Sequence, residues 1–231
     1  MCLGNCMPET FEVEFVVCDP SGTPLAQARV ATRFIKWMKE ESLRAMDTSA
    51  ETDERGCATV LFEDGQKPIV LIGYSADWKL GGYVVIDRSH EGEIIEFELT
   101  PTVTLLANHT CNELPSALRY SITELSVEGL SYSCIGFHTR SRQIEFPVPR
   151  GEWLIRRYGK YFAQKPNEKI LISGESALDL GNIDFEPEGF ARIKDTVAPE
   201  LSLADVRGLP ADLRIADFAG KWLLLAFWAY G

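Results

Sequence analysis

The sequence predicts a mainly β chain, with two successive β-sandwiches followed by the opening of an α/β domain. Three observations predict it. Short runs of alternating apolar and polar residues recur from Phe11 to about residue 190, punctuated by Gly, Pro, Asn and Asp turn signals. No stretch in that range keeps a convincing helical period. The last apolar run, Trp222-Leu223-Leu224-Leu225-Ala226-Phe227-Trp228, is instead unbroken and follows a Gly turn. That is the pattern of a strand covered on both faces, as at the centre of an α/β sheet.

Bulk properties bound the function. The chain has 231 residues, of which 45% are hydrophobic, and a net charge of −11. That supply of apolar residues is ample for packed cores. The acid excess argues against a nucleic-acid or anionic-membrane surface, since either needs a basic patch. No apolar run approaches the roughly 20 residues needed to span a bilayer. The opening MCLGNCMPETFEVEF shows no basic segment followed by an apolar one, so no signal peptide is visible. The six cysteines form no C-x-x-C pair and are too few for a disulfide scaffold at this length. Cys2 and Cys6 fall in a segment, residues 1–9, expected to be disordered.

The first sandwich is expected over residues 10–100. Phe11, Val13, Phe15 and Val17 alternate with Glu12 and Glu14 as one half-buried strand. Pro20-Ser21-Gly22-Thr23-Pro24 is a turn, and Leu25 to Met38 returns with Val30, Thr32 and Phe34 on one face. Lys39 to Glu54 is polar and reads as a loop insertion, or a short helix through Leu43 and Met46. Cys57–Phe62, Pro68–Tyr74, Tyr83–Asp87 and Glu93–Leu99 read as further strands. Thr100-Pro101 marks a boundary, because proline cannot donate to a ladder. A second sandwich is expected over residues 101–193. There Leu118, Tyr120 and Ile122 form one alternating face, and Ser131–His138, Arg142–Phe146, Glu152–Ile155 and Leu178–Phe185 form strands. No internal repeat stands out.

Two resemblances refine this reading. Val17-x-Asp19, Gly22, Pro24-Leu25, Ala28, Val30, Thr52-Asp53, Gly56 and Ala58-Thr59 resemble the carboxypeptidase-regulatory-like, or transthyretin-like, domain. That family implies an accessory sandwich rather than a catalyst. The second module looks Ig-like. The tail, residues 194–231, resembles the start of a thioredoxin-like redoxin domain of the TlpA or AhpC/TSA kind. Pro199 with Leu201, Asp217-Phe218, Gly220-Lys221 and the run ending Phe227-Trp228-Ala229 carry the resemblance. It implies a thiol-disulfide oxidoreductase or antioxidant redoxin whose C-x-x-C pair, helix and cis-proline lie beyond Gly231. It also implies a thiol or disulfide protein partner and leans towards a bacterial cell envelope, while the opening residues lean the other way.

The remaining candidate chemistry is His109-x-Cys111 with Cys134-x-x-x-His138. Residues two or four apart share a strand face, so the four could make a Cys2His2 zinc site. A Cys111–Cys134 disulfide and two buried thiols are the other readings. Trp78, Tyr74 and Tyr83 either stack on a sugar or partner at a sandwich rim or cap the core. Trp153, Tyr158, Tyr161 and Phe162 with Arg156, Arg157 and Lys160 form either a docking patch or a solvated strand edge. No catalytic residue and no cofactor are expected. The chain is therefore expected to be the non-catalytic front of a redoxin, inactive by itself. The alternative is an adhesion or carbohydrate-binding sandwich protein, and a plain spacer is the third reading.

Overall fold

The computed structural model describes residues 10–37, 43–63, 68–110, 120–139, 143–159, 161–174 and 176–188, with Arg214, Asp217 and Gly220 beyond them. The chain divides into two compact units, Met1–Glu188 and Gly189–Gly231. Among its described residues the first has strands and one 3₁₀ turn, at Arg88–His90, capped by the Asp87 carboxylate. Its opening strands are β1 (Thr10–Cys18), β2 (Arg29–Lys36), β3 (Arg44–Glu51), β4 (Cys57–Glu63), β5 (Ile69–Tyr74), β6 (Leu80–Ile86) and β7 (Ile94–Glu98). After the two-residue β8 (Thr100–Pro101) come β9 (Val103–Thr110), β10 (Ser121–Val127), β11 (Leu130–Thr139), β12 (Gln143–Val148), β13 (Gly151–Gly159), β14 (Glu168–Ile172) and β15 (Ala177–Asp184).

The pairing follows one plan twice. β1 lies between antiparallel β4 and parallel β7, as β9 lies between antiparallel β12 and parallel β15. β2 pairs with β3 and β5, and β5 with β6. In the same way β10 pairs with β11 and β13, and β13 with β14. Strands β1–β7 and β9–β15 thus repeat a seven-strand arrangement that the residues themselves do not reveal.

Each copy packs a three-stranded sheet against part of one nine-stranded sheet. In the first core Phe11, Val13, Phe15 and Val17 of β1 meet Val60 and Phe62 of β4, Leu71 of β5, Ile86 of β6 and Phe97 of β7. The alternation read in β1 is what puts these side chains inside, each contributing roughly 1.5–3 kcal/mol on burial. In the second core Phe137 of β11 stacks on Phe146 of β12, ring centroids 5.4 Å apart, with Leu105, Leu125 and Ile155 buried nearby in the chain's interior.

β2 joins the copies. Its first residues, Arg29 to Ala31, pair antiparallel with β5, and Arg33 to Lys36 pair parallel with β11. The other edge pairs with β3, with a register shift between Ala31 and Arg33. Stretch 44–51, expected as loop or helix, is therefore a strand. Its polar character fits a position supported through one neighbour, which does not require an apolar run. Side chains reinforce the join. The Tyr74 hydroxyl donates to the Pro147 carbonyl at 2.9 Å, Arg150 Nε donates to Pro101 at 3.1 Å, and Tyr83 packs edge-on against Trp153 at 5.0 Å.

Gly151 is required at this join. Its φ is +139°, and a Cβ there would stand 2.6 Å from Tyr83 Cε1. Gly151→Ala is expected to lose about 1–3 kcal/mol in urea unfolding. Tyr74→Phe, which strands the Pro147 carbonyl, is expected to lose about 1–2 kcal/mol in the same measurement.

Candidate functional site

The second core buries a layer of polar side chains, Ser121, Thr123, His109 and Arg157, at its centre. On β10 the inward residues are Ser121, Thr123 and Leu125, not the Tyr120 and Ile122 face expected from alternation. They are tolerated because His109 of β9 satisfies both hydroxyls. Its Nδ1 lies 2.7 Å from Ser121 Oγ and its Nε2 lies 3.2 Å from Thr123 Oγ1. In a neutral imidazole one nitrogen donates and the other accepts, so the ring is fully used. Phe185 packs edge-on against it at 5.0 Å. Beside it the buried Arg157 guanidinium reaches Glu168 Oε1 of β14 at 2.5 Å.

A serine hydroxyl against an imidazole is the opening move of a nucleophile and base. Here it is packing chemistry. Ser121 is 2% exposed, so no substrate carbonyl reaches it. Burial, with the nearby Arg157 charge, pushes the His109 pKa down to about 4, which makes it a poor base near neutrality. Thr123 occupies the nitrogen that an orienting carboxylate would use.

The second histidine lies on the opposite side of the same sheet. His138 pairs with Ile122 across β10, so it shares the face of Ile122 and Glu124, not that of Ser121 and Thr123. The structure thus places His109 and His138 apart, while Cys134 and His138 share one face of β11. Cys111 lies outside the described residues. Tyr120 Oη is 2.6 Å from His138 Nδ1, and the Trp37 ring lies 4.5 Å from the imidazole. Burial holds the His138 pKa below its ordinary value, Glu124 opposing and Arg33 assisting. Burial and the Glu124 carboxylate raise the Tyr158 phenol on the same face. Among the described residues no group of three or more His, Cys, Asp or Glu side chains could hold a metal ion.

Of the aromatics flagged in the sequence, Trp153 and Phe162 are buried, whereas Tyr158 lies on the His138 face. Tyr74 is fully buried, and Trp78 packs on Tyr74 and Phe34 with the Arg29 guanidinium 5.3 Å from its ring centroid. Trp153 donates to the Pro149 carbonyl at 3.0 Å. β13 pairs with β14 only as far as Ile155; Arg156 and Arg157 pair with Glu124 and Thr123 of β10, and Arg157 is buried. Of the tail residues, Pro199, Phe218, Lys221, Phe227, Trp228 and Ala229 lie outside the described residues. Asp217 accepts a hydrogen bond from the Arg214 amide at 2.8 Å, and Gly220 takes a φ of +78°. A cleft of ≈ 620 Å³ runs beside β1 and β4 past Glu14, Asp53, Thr59 and Ile94.

What sequence reasoning missed was the Ser121–His109–Thr123 layer. Ser121 and Thr123 alternate as clearly as their apolar neighbours, but polarity assigned them to solvent. The two histidines give an acid-sensitivity test. An unfolded histidine titrates near 6.5, whereas His109 titrates at about 4 when folded. Between those values the unfolded state binds more protons, so stability falls as pH drops from 6.5 towards 4. The full loss is on the order of 3 kcal/mol. His138 adds in the same sense. His109→Gln is expected to flatten urea-unfolding stability against pH in that window.

No protein-family model matches the chain, and no curated relative does. Several solved structures match by shape. The Bacillus anthracis TIE protein does so at 13% identity and TM-score 0.33, over 77% of this chain and 34% of its own. A streptococcal ancillary pilin does so at 9% identity and TM-score 0.31, over 78% of this chain and 62% of its own. The shaft pilin SpaA of Lactobacillus rhamnosus GG matches at 7% identity and TM-score 0.30, over 79% of this chain and 99% of its own. The chain spans about a third of the first protein and under two thirds of the second. The redoxin expectation is corrected. No redoxin family model matches the chain, and two of these three solved structures are pilins. The tail pattern misled because any strand buried on both faces after a Gly turn satisfies it. With the redoxin goes its thiol partner. No helix among the described residues is long and apolar enough to cross a membrane.

Proposed function

We propose that the chain is a non-catalytic adhesion module that binds a protein partner through the outer face of the β4-β1-β7 sheet. One observation carries this reading. Leu61 and Ile94 are 60% and 67% exposed on that face, beside exposed Glu12, Glu14, Glu96 and Glu98. The register sets Leu61 opposite Glu12 and Ile94 opposite Glu14, so the aliphatic and acidic groups interleave. Aliphatic side chains in a charged surround are the composition of a contact surface with a polar rim. The acidic rim, in a chain of net charge −11, selects a basic partner.

A sugar partner is less favoured. Stacking on a pyranose needs an open aromatic ring. The one aromatic among the exposed large hydrophobics of the described residues, Trp37 at 39%, lies against His138. We also read residues 10–100 and 101–193 as two modules, supported by the repeated strand plan. A carboxypeptidase-regulatory-like first module is supported by Gly22 and Gly56, with φ of +79° and +74°, and by Thr52, which accepts from the Ala28 amide and donates to Leu25.

The test is a surface-plasmon-resonance screen against immobilised basic surface proteins, with a glycan array alongside. Leu61→Ser combined with Ile94→Ser is expected to weaken the best protein hit at least tenfold with unchanged thermal stability. Added salt is expected to slow association. A double variant that binds like the parent, or hits confined to glycans, overturns the assignment.

A further inference from the structure

We propose that Cys134 and His138 bind one soft monovalent cation of the Cu(I) class over Gly136, on the face of β11 turned away from the second core. This site is independent of the adhesion surface. Four residues apart on a strand, the two Cα atoms stand about 13 Å apart. Two ligands that far apart share an ion only if one leans towards the other. His138 leans: its Nε2 lies 3.6 Å, and its Cδ2 3.8 Å, from where a Gly136 Cβ would stand. From Gly136 to Cys134 about 6.7 Å of strand remains. The cysteine side chain and about 4.3 Å of summed sulfur–metal and nitrogen–metal bond length bridge that gap. Ile35 Cγ1 lies equally near that point, at 3.6 Å, so a branched side chain at position 136 would fill the space between the two ligands.

The imidazole is prepared for a ligand. His138 is 9% exposed, yet its Nε2 has no hydrogen-bond partner. Nδ1 is held at 2.6 Å by the Tyr120 hydroxyl. When that oxygen accepts the Nδ1 proton, Nε2 presents its lone pair, the arrangement of metal-bound imidazoles whose second nitrogen is fixed from behind. Cys134 is buried and carries a thiol. Glu124 stands opposite Gly136 and Arg33 opposite Cys134.

Charge and coordination number select the ion. A thiolate, a neutral imidazole and a monovalent cation sum to zero, which a buried site tolerates. A dication would leave a net positive charge facing Arg33. Two ligands, one of them thiolate, suit a soft d¹⁰ ion rather than tetrahedral zinc. Binding forms one sulfur–metal and one nitrogen–metal bond and releases the thiol proton to solvent. No electron is transferred.

The experiment is an anaerobic titration of the whole chain with Cu(I) against a chromophoric chelator, with X-ray absorption of the one-to-one complex. The expected first shell is one sulfur and one nitrogen. Affinity for the first equivalent is expected to fall at least tenfold in Cys134→Ser, His138→Ala and Gly136→Val, and less in Tyr120→Phe. Gly136→Val keeps both ligands, so its loss separates this site from binding by the other cysteines. Sulfur-only coordination in the unaltered chain, or an unchanged first affinity in His138→Ala, overturns the proposal. The X-ray absorption result decides the matter even if a variant fails to fold.

Discussion

The shared edge of β2 is the constraint on which the rest of residues 10–188 depends. One backbone edge serves two partners: β5 takes Arg29 to Ala31 and β11 takes Arg33 to Lys36. Backbone groups inside a protein need partners, so the two sheets meet at a fixed register instead of across a linker. The side chains at the join follow from that register. Tyr74 finds Pro147, Tyr83 finds Trp153, and Lys36 Nζ reaches the Glu145 carbonyl at 3.2 Å. For the proposed adhesion role the consequence is a stiff platform. The interleaved Leu61 and Ile94 face is held by a sheet backed by the aromatic and aliphatic core of the first copy.

The second copy uses the same plan with different chemistry. Its inner layer hands burial to Ser121, Thr123, His109 and Arg157: the two hydroxyls pair with the imidazole, and Arg157 pairs with Glu168. Such a layer is less forgiving than an aliphatic one, because losing one member strands its neighbour. The two histidines show how position along a strand governs role. His109 has both nitrogens engaged within the sandwich. His138, on the other side of one sheet, has one nitrogen engaged and one without a partner.

Much of the fold was legible. β1 alternates cleanly, and its Phe11, Val13, Phe15 and Val17 form the core wall that their spacing implied. The turns at Gly22 and Gly56 were legible because both glycines take positive φ. β3 was not, because an edge position does not demand the apolar residues that signal a strand. The repeat was hidden for a related reason. β1 places Phe15 and Val17 inside, whereas β9 places Ala107 and His109 there, so equal pairing carries unequal side chains. The site chemistry was half legible. Spacing put Cys134 and His138 on one face, but only the register across β10 shows that His109 faces the other way.

The parallel ladder between β2 and β11 also orders events at the ribosome. About a hundred residues of chain separate Arg33–Lys36 from Cys134–Phe137. While the polypeptide is emerging, the first seven strands can close their own core, yet half of one β2 edge waits unpaired until the later segment arrives. Contacts this distant in sequence close late, and a bare strand edge invites neighbouring nascent chains. Arg29, Arg33 and Lys36, spaced along that strand, put positive charge beside the waiting edge and so discourage two identical chains from meeting there before the native partner is made.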